Sequence, residues 1–237
     1  MALPKIDRPI FETKLPSGKD VRYTAFRVKE EKLLLIARES EEGKDMVQAV
    51  RQVINNCAVD EIDVDTMPSF DLEYLFVQMR CKSVGETADL FYQHRNGVNT
   101  KGEECDHVQN VKVNLNNVET ITNPDHSQTL TLNDTYGMKL KYPSLGMVEQ
   151  LKGKDPVNAL IELVSLCIES VYTDEEVFEP ESVEEAKEFM EGMGQKELNV
   201  VEQFFTTMPK NTLEVKYVCD ACGDEEVFKL ENLADFF

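Results

Sequence analysis

Val218-Cys219-Asp220-Ala221-Cys222-Gly223 sets two thiols three positions apart, the spacing at which one tight turn aims both sulfurs at a single metal ion. Gly223, directly after the second cysteine, supplies the positive φ that such a turn needs. Strand-like alternation leads into the pair from Leu213 to Tyr217 and out of it from Val227 to Leu230, so the cysteines sit at a hairpin tip. This is half of a zinc ribbon. The chain holds no second Cys-x-x-Cys to complete the shell.

Working outward, the middle of the chain echoes the end. Cys105-Asp106-His107 precedes Val111-Lys112-Val113-Asn114-Leu115-Asn116, much as Cys222 precedes Val227-Phe228-Lys229-Leu230-Glu231-Asn232. Two related hairpins, one with two cysteines and one with Cys105 and a nearby His107 or His94, either share one ion or represent one live and one decayed site. The candidate ligands of one zinc ion are therefore Cys219, Cys222, Cys105 and His107, with His94 the other histidine at hand. The plain alternatives are a reduced thiol pair in a turn and ordinary polar loop residues at 94, 105 and 107. A strand rather than a helix follows the Cys-x-x-Cys, which disfavours thioredoxin-like redox chemistry. Cys57, Cys81 and Cys167 fall inside apolar helical patterns and read as core residues. No secretory leader and no regular cysteine framework is read, which points to a reducing compartment.

Toward the N-terminus, Phe11 to Leu15 and Val21 to Val28 read as strands joined by Pro16-Ser17-Gly18-Lys19. Leu33, Leu34, Ile36 and Ala37 make one helical face, and Met46, Val47, Val50, Val53 and Ile54 make another after Gly43. Pro68-Ser69-Phe70-Asp71 opens a third helix with Leu72, Leu75, Phe76 and Met79 at helical spacing, ended by Gly85. That stripe is enough to read the helix as core; its Arg80 and Lys82, in an otherwise acidic chain, leave a partner surface as the alternative. A β region runs from Ala88 to Tyr142, its longest loop from His94 to His107. Ser144 and Asp155-Pro156 cap helices, the second nearly all apolar from Leu160 to Ile168 and read as a central buried helix. Ser182-Val183-Glu184-Glu185 is a capping box for an acidic helix, and Lys196 to Met208 supplies one more. The expected fold is α+β: an N-terminal β-hairpin, a helical body, a central antiparallel β region and a C-terminal zinc-ribbon-like hairpin. The expected boundaries are 1–87, 88–143, 144–210 and 211–237, in one or two compact domains.

With 45 acidic and 25 basic residues the net charge is −20, which opposes phosphate recognition and hence nucleic acid. From Val171 to Phe237 the balance is 18 acidic to 5 basic residues. Such a surface steers toward basic protein partners or simply keeps the chain soluble. No apolar run approaches a membrane span. There is no Walker loop, Gly-rich dinucleotide turn or Gly-x-Ser-x-Gly elbow, so no enzyme class is indicated and no catalytic residue is singled out.

Several phrases together resemble the baseplate hub and hub-assembly proteins of T4-type contractile-tailed phages. They are Phe26-Arg27-Val28-Lys29-Glu30-Glu31-Lys32-Leu33-Leu34, Met67-Pro68-Ser69-Phe70-Asp71-Leu72, Arg80-Cys81-Lys82-Ser83-Val84-Gly85-Glu86, Tyr142-Pro143-Ser144, the Cys-x-x-Cys-Gly and Leu233-Ala234-Asp235-Phe236-Phe237. The resemblance implies a non-enzymatic hub component or hub chaperone that binds other phage baseplate hub proteins, neither nucleic acid nor membrane. It would work in the host cytoplasm during assembly or in the virion tail. The family's metal-knuckle cysteines map onto Cys219 and Cys222, whereas the middle segment keeps only Cys105 of a four-cysteine pattern. Asp235, Phe236 and Phe237 offer an aromatic anchor in an acidic setting for a hub partner, or rings that fold back onto the core. The alternative function is a zinc-ribbon adaptor in transcription or nucleic-acid processing.

Overall fold

The computed structural model describes residues 7–40, 43–95, 97, 102, 104–151 and 153–231, and it opens on a hairpin closed by the turn that its sequence signals. Strands β1 (Ile10–Lys14) and β2 (Asp20–Thr24) pair antiparallel around Gly18, whose φ of 94° makes the turn. Helices α1 (Val28–Glu39) and α2 (Gly43–Cys57) follow. Helix α2 buries Val50, Val53, Ile54 and Cys57, and α3 (Ser69–Ser83) buries Leu72, Leu75, Phe76 and Met79. The α3 stripe is therefore core, as its spacing predicts. In α1 the four apolar residues 33–36 span the helix circumference and cannot all face inward. Ala37 is buried, while Leu35 and Ile36 stay exposed.

Strands β3 (Thr87–Gln93) and β4 (Val108–Asn114) form a second hairpin, and a 3-10 turn at Leu115–Asn117 leads to the short β5 (Glu119–Ile121). Strand β10 (Lys210–Val218) pairs with β5 on one side and with β11 (Glu225–Leu230) on the other. A four-stranded sheet runs in the order β6 (Thr129–Thr131), β7 (Tyr136–Leu140), β8 (Ile168–Thr173), β9 (Val177–Phe178). Helices α4 (Leu145–Gln150), α5 (Pro156–Cys167), α6 (Val183–Glu191) and α7 (Gln195–Thr207) accompany it. Among the described residues, seven helices and several antiparallel sheets make the fold α+β.

The caps read from sequence are in place. Ser144 accepts from the Met147 N–H, Asp155 from Asn158 with Pro156 in the first turn, and Ser182 from Glu185. The nearly all-apolar run from Leu160 to Ile168 is helical as read, up to Cys167, but it is not buried all round. It breaks at Ile168 into β8, and Leu160 is 61% exposed while Val164 and Cys167 are buried. Periodicity alone does not separate a buried strand from a helix in such a run, and β-branched Ile168 and Val171 favour the strand.

The chain divides into two units. The first comprises 1–62, 73–121 and 210–237, and the second 63–72 and 122–209, so the strands between 88 and 143 are shared between them. In the first, Val77, Cys81, Val111, Val113, Leu115, Leu213, Val215 and Tyr217 form a core that also takes in Cys105 and Cys219. In the second, Met138, Leu140, Val164, Cys167, Val201 and Phe204 are central.

Candidate metal centre

The first unit brings the tips of two hairpins together. In β3 the period-two alternation turns Ala88, Leu90 and Tyr92 toward the core, and the next inward position is His94, 1% exposed. The β3–β4 ladder ends at Gln93 opposite Val108, and one rung further the His94 N–H donates to the His107 carbonyl at 2.8 Å. Cys105 lies in the loop before β4, its N–H donating to the Gly97 carbonyl at 2.7 Å. From the other hairpin, Cys219 follows β10 directly. Its N–H donates to the Asp224 carbonyl, the Gly223 N–H donates back to the Cys219 carbonyl, and Gly223 has a φ of 80°. The knuckle is the one read from Cys-x-x-Cys-Gly.

His94, Cys105, Cys219 and Cys222 then converge, their four candidate ligand atoms all within 4.8 Å of one another. Cys105 Sγ and Cys219 Sγ are 3.8 Å apart, and Cys222 Sγ is 3.5 Å from His94 Nδ1. A tetrahedral zinc with bonds of about 2.3 Å to sulfur and about 2.05 Å to nitrogen separates two sulfurs by about 3.8 Å and a sulfur and nitrogen by about 3.6 Å. The side chains fit the ion. Three thiols and an imidazole are a soft donor set that suits zinc and disfavours calcium or magnesium.

The surroundings fit as well. A Cβ added to Gly97 would lie 2.5 Å from Asp224 Oδ2 and His94 Cε1 and 2.8 Å from Cys222 Sγ, so only glycine can pass so close to the four donors. His94 Nε2, the nitrogen turned away from the thiols, faces Glu226 Oε2 at 3.5 Å. The same carboxylate oxygen accepts from the Tyr217 hydroxyl at 2.6 Å. A carboxylate behind a ligating imidazole fixes which nitrogen carries the proton and leaves the other free to bind. Gln109 clamps the knuckle from β4: its amide donates to the Val218 carbonyl at 3.0 Å and accepts from the Asp220 N–H at 2.8 Å.

The sulfurs differ in acidity. Burial pushes the Cys219 thiol up, but the N–H groups of Cys222 and Ala221 and the neighbouring thiols outweigh it and hold Cys219 below the ordinary value. Cys222 gains from the Asp224 N–H, yet burial and the adjacent Cys219 and Cys105 sulfurs raise it to about 11. The knuckle thus favours the thiolate at Cys219 and disfavours it at Cys222, where a bound cation would offset the neighbouring sulfurs. Cys57 and Cys167, raised by burial to about 11 and about 12, are inert core thiols.

Of the residues singled out from sequence, Cys105, Cys219 and Cys222 are brought together; the His107 ring is not among the clustered donors, and His94 stands there instead. His107 serves through its backbone carbonyl. Asp235, Phe236 and Phe237 lie outside the described residues. Glu226, Tyr217, Gln109 and Gly97 were not singled out. Of these, Glu226 and Tyr217 carry the faintest signal, since they stand opposite each other in the β10–β11 register.

A family model described as T4 bacteriophage base plate protein matches residues 8–237. The chain belongs to that family. No curated protein and no solved structure matches it. Two pairs of phrases that carry the baseplate resemblance meet in space. In the second unit, Pro68 bridges Ser144, the Ser69 N–H donates to the Pro143 carbonyl at 2.9 Å, and the Phe70 and Tyr142 rings meet edge to face at 5.0 Å. In the first, the Phe26 N–H donates to Ser83 Oγ at 2.7 Å. These baseplate phrases therefore mark places where distant parts of the chain are pinned together. No described helix of this baseplate protein is long and apolar enough to cross a membrane.

Proposed function

We propose that this baseplate protein is a hub component or hub-assembly factor, which binds other hub proteins during tail assembly and transforms no substrate. The family match over 8–237 carries this reading. The candidate metal centre supports it: its four protein donors would fill a tetrahedral shell and leave no open position for water or substrate, the arrangement of a structural rather than a catalytic zinc. One zinc ion held by Cys105, Cys219, Cys222 and His94 ties the loop after β3 to the β10–β11 knuckle and stiffens that face. Asp235, Phe236 and Phe237 are offered as the anchor toward a hub partner. The acidic knuckle, with Asp220, Asp224, Glu225 and Glu226 against Lys216 and Lys229, speaks for protein rather than nucleic-acid partners.

The test is co-purification from infected cells, comparing assembly intermediates with mature particles and measuring bound zinc in both. Presence in intermediates alone marks a chaperone, and presence in finished tails marks a subunit. Absence from both refutes the role. Deleting Ala234 to Phe237 is expected to leave folding intact and weaken capture of hub proteins in a pull-down; unchanged capture removes the tail from the proposal.

A further inference from the structure

The second unit carries an apolar cavity of about 330 Å³ between the end of its sheet and α6. Ile168, Val171, Phe178, Ala186 and Phe189 line it, with Tyr136 at its wall. Its size falls at the lower end of ligand pockets, about 300 Å³ upward, which is room for an anchoring side chain rather than for a cofactor. Strand β9, the last strand of the sheet, forms one lip, and its two side chains stand in solvent, Val177 at 68% and Phe178 at 49% exposure. Exposed apolar side chains on an edge strand beside a concavity are what an added strand uses, with main-chain bonds along the edge and alternate side chains into the hollow.

Charge selects the occupant. Glu179 and Glu185 are among the residues lining the cavity, and between 173 and 191 the chain has nine acidic residues and one lysine. A second copy of this chain would bring a like charge to the same rim and is repelled. A segment that offers Leu, Phe or Met to the hollow and Lys or Arg to the rim is attracted.

We propose that the β9 edge and the cavity beside it dock an extended segment of another protein in which an apolar side chain is flanked by lysines or arginines. This names the kind of partner for the assembly role and rests on that reading only in taking the partner to be a protein. The segment pairs with β9 antiparallel or parallel, its apolar side chain fills the space between Phe178 and Phe189, and its cations meet Glu179 and Glu185.

The probe is a fluorescein-labelled eight-residue peptide of alternating leucine and lysine, followed by anisotropy on the zinc-loaded full chain. Two comparison peptides replace every lysine by glutamate or every leucine by serine. The leucine–lysine peptide is expected to bind at least tenfold more tightly than either. Phe178→Ser is expected to weaken it at least tenfold, and Phe91→Ser, which removes a 78% exposed ring from the first unit, to leave it unchanged. Glu179→Lys, at an exposed position, is the second variant should Phe178→Ser fail to fold, and is expected to weaken the same peptide at least fivefold. Equal binding of the serine–lysine peptide, equal loss in the Phe178 and Phe91 variants, no loss with Glu179→Lys, or a self-association abolished by Phe178→Ser would each overturn the proposal. A chain that co-purifies with tail intermediates but fails to discriminate the peptides loses this surface and keeps its assembly role.

Discussion

Gly97 shows how little freedom the cluster of His94, Cys105, Cys219 and Cys222 leaves a single residue. Gly97→Ala places a methyl group among Asp224, His94 and Cys222, and is expected to abolish binding of one zinc per chain, read by a chromogenic chelator after thiol release. His94→Ala is expected to do the same, whereas His107→Ala retains the ion, because only the His107 carbonyl is used. A second residue-scale feature is Glu30, fully buried at the start of α1. It accepts from the Arg27 backbone and guanidinium at 3.0 to 3.1 Å and pairs with Lys29 at 3.2 Å. Burial alone pushes its carboxyl up, but the bonds from Arg27 and Lys29 more than reverse this and hold it below the ordinary 4.5. A lowered folded-state value means that the pair stabilises fully above the unfolded value and that this stability is lost as pH falls below about 4.5 through the folded value. The melting temperature of the native chain should therefore drop more steeply with acid than that of Glu30→Gln. Arg27→Ala, which leaves the buried carboxylate with Lys29 and the backbone N–H of residue 27, should lower the melting temperature more than Glu30→Gln does. Glu30→Gln should cost only about 1 kcal/mol.

Among the elements, the β10–β11 hairpin depends on a strand that it does not pair with. The Gln109 amide on β4 bonds the backbone on both sides of Cys219, through Val218 and Asp220. Gln109→Ala is expected to cost about 1 to 2 kcal/mol, and to speed hydrogen exchange at the Asp220 amide while the middle of β10 keeps its protection. The hairpin itself was legible in the sequence because its turn chemistry is local: Cys-x-x-Cys-Gly needs a positive φ at one place and has glycine there. The caps at Ser144, Asp155 and Ser182 were legible for the same reason. What sequence could not supply were the partners of the hairpin. Cys105 and Cys219 are 114 residues apart, and His94 and Cys222 are 128 apart. The choice of His94 over His107 turns on strand parity, with Ala88, Leu90, Tyr92 and His94 on one face, and that becomes visible only once the ends of β3 are known. The run from Leu160 was read correctly as a helix, which ends at Cys167, but its partial exposure was not, because a nearly all-apolar segment does not say which of its faces meets solvent.

For the molecule as a whole, the metal donors belong to the first unit alone. Calorimetry of the zinc-loaded chain should resolve two transitions, and a strong chelator should lower one of them by 10 °C or more while leaving the other in place, because binding free energy in a structural site is folding free energy. A single transition that shifts as a whole would mean that the units unfold together. The net charge of −20 acts at this same scale: it favours basic partners and resists self-association, and both effects should fade as salt rises through the physiological range.

The interleaved order of the segments also sets a timetable for synthesis. Residues 122–209 leave the ribosome as an unbroken stretch and need only 63–72, already made, to finish the second unit. The first unit must wait, with β5 lacking its neighbour, until β10 has been translated. During that interval the β3–β4 hairpin that carries His94 and Cys105 is made but Cys219 and Cys222 are not, and the first unit is most vulnerable to proteases and to thiol oxidants. Stalling after residue 209 and before β10 and β11 are made should therefore release fragments that are cleaved within the first unit and spared within the second.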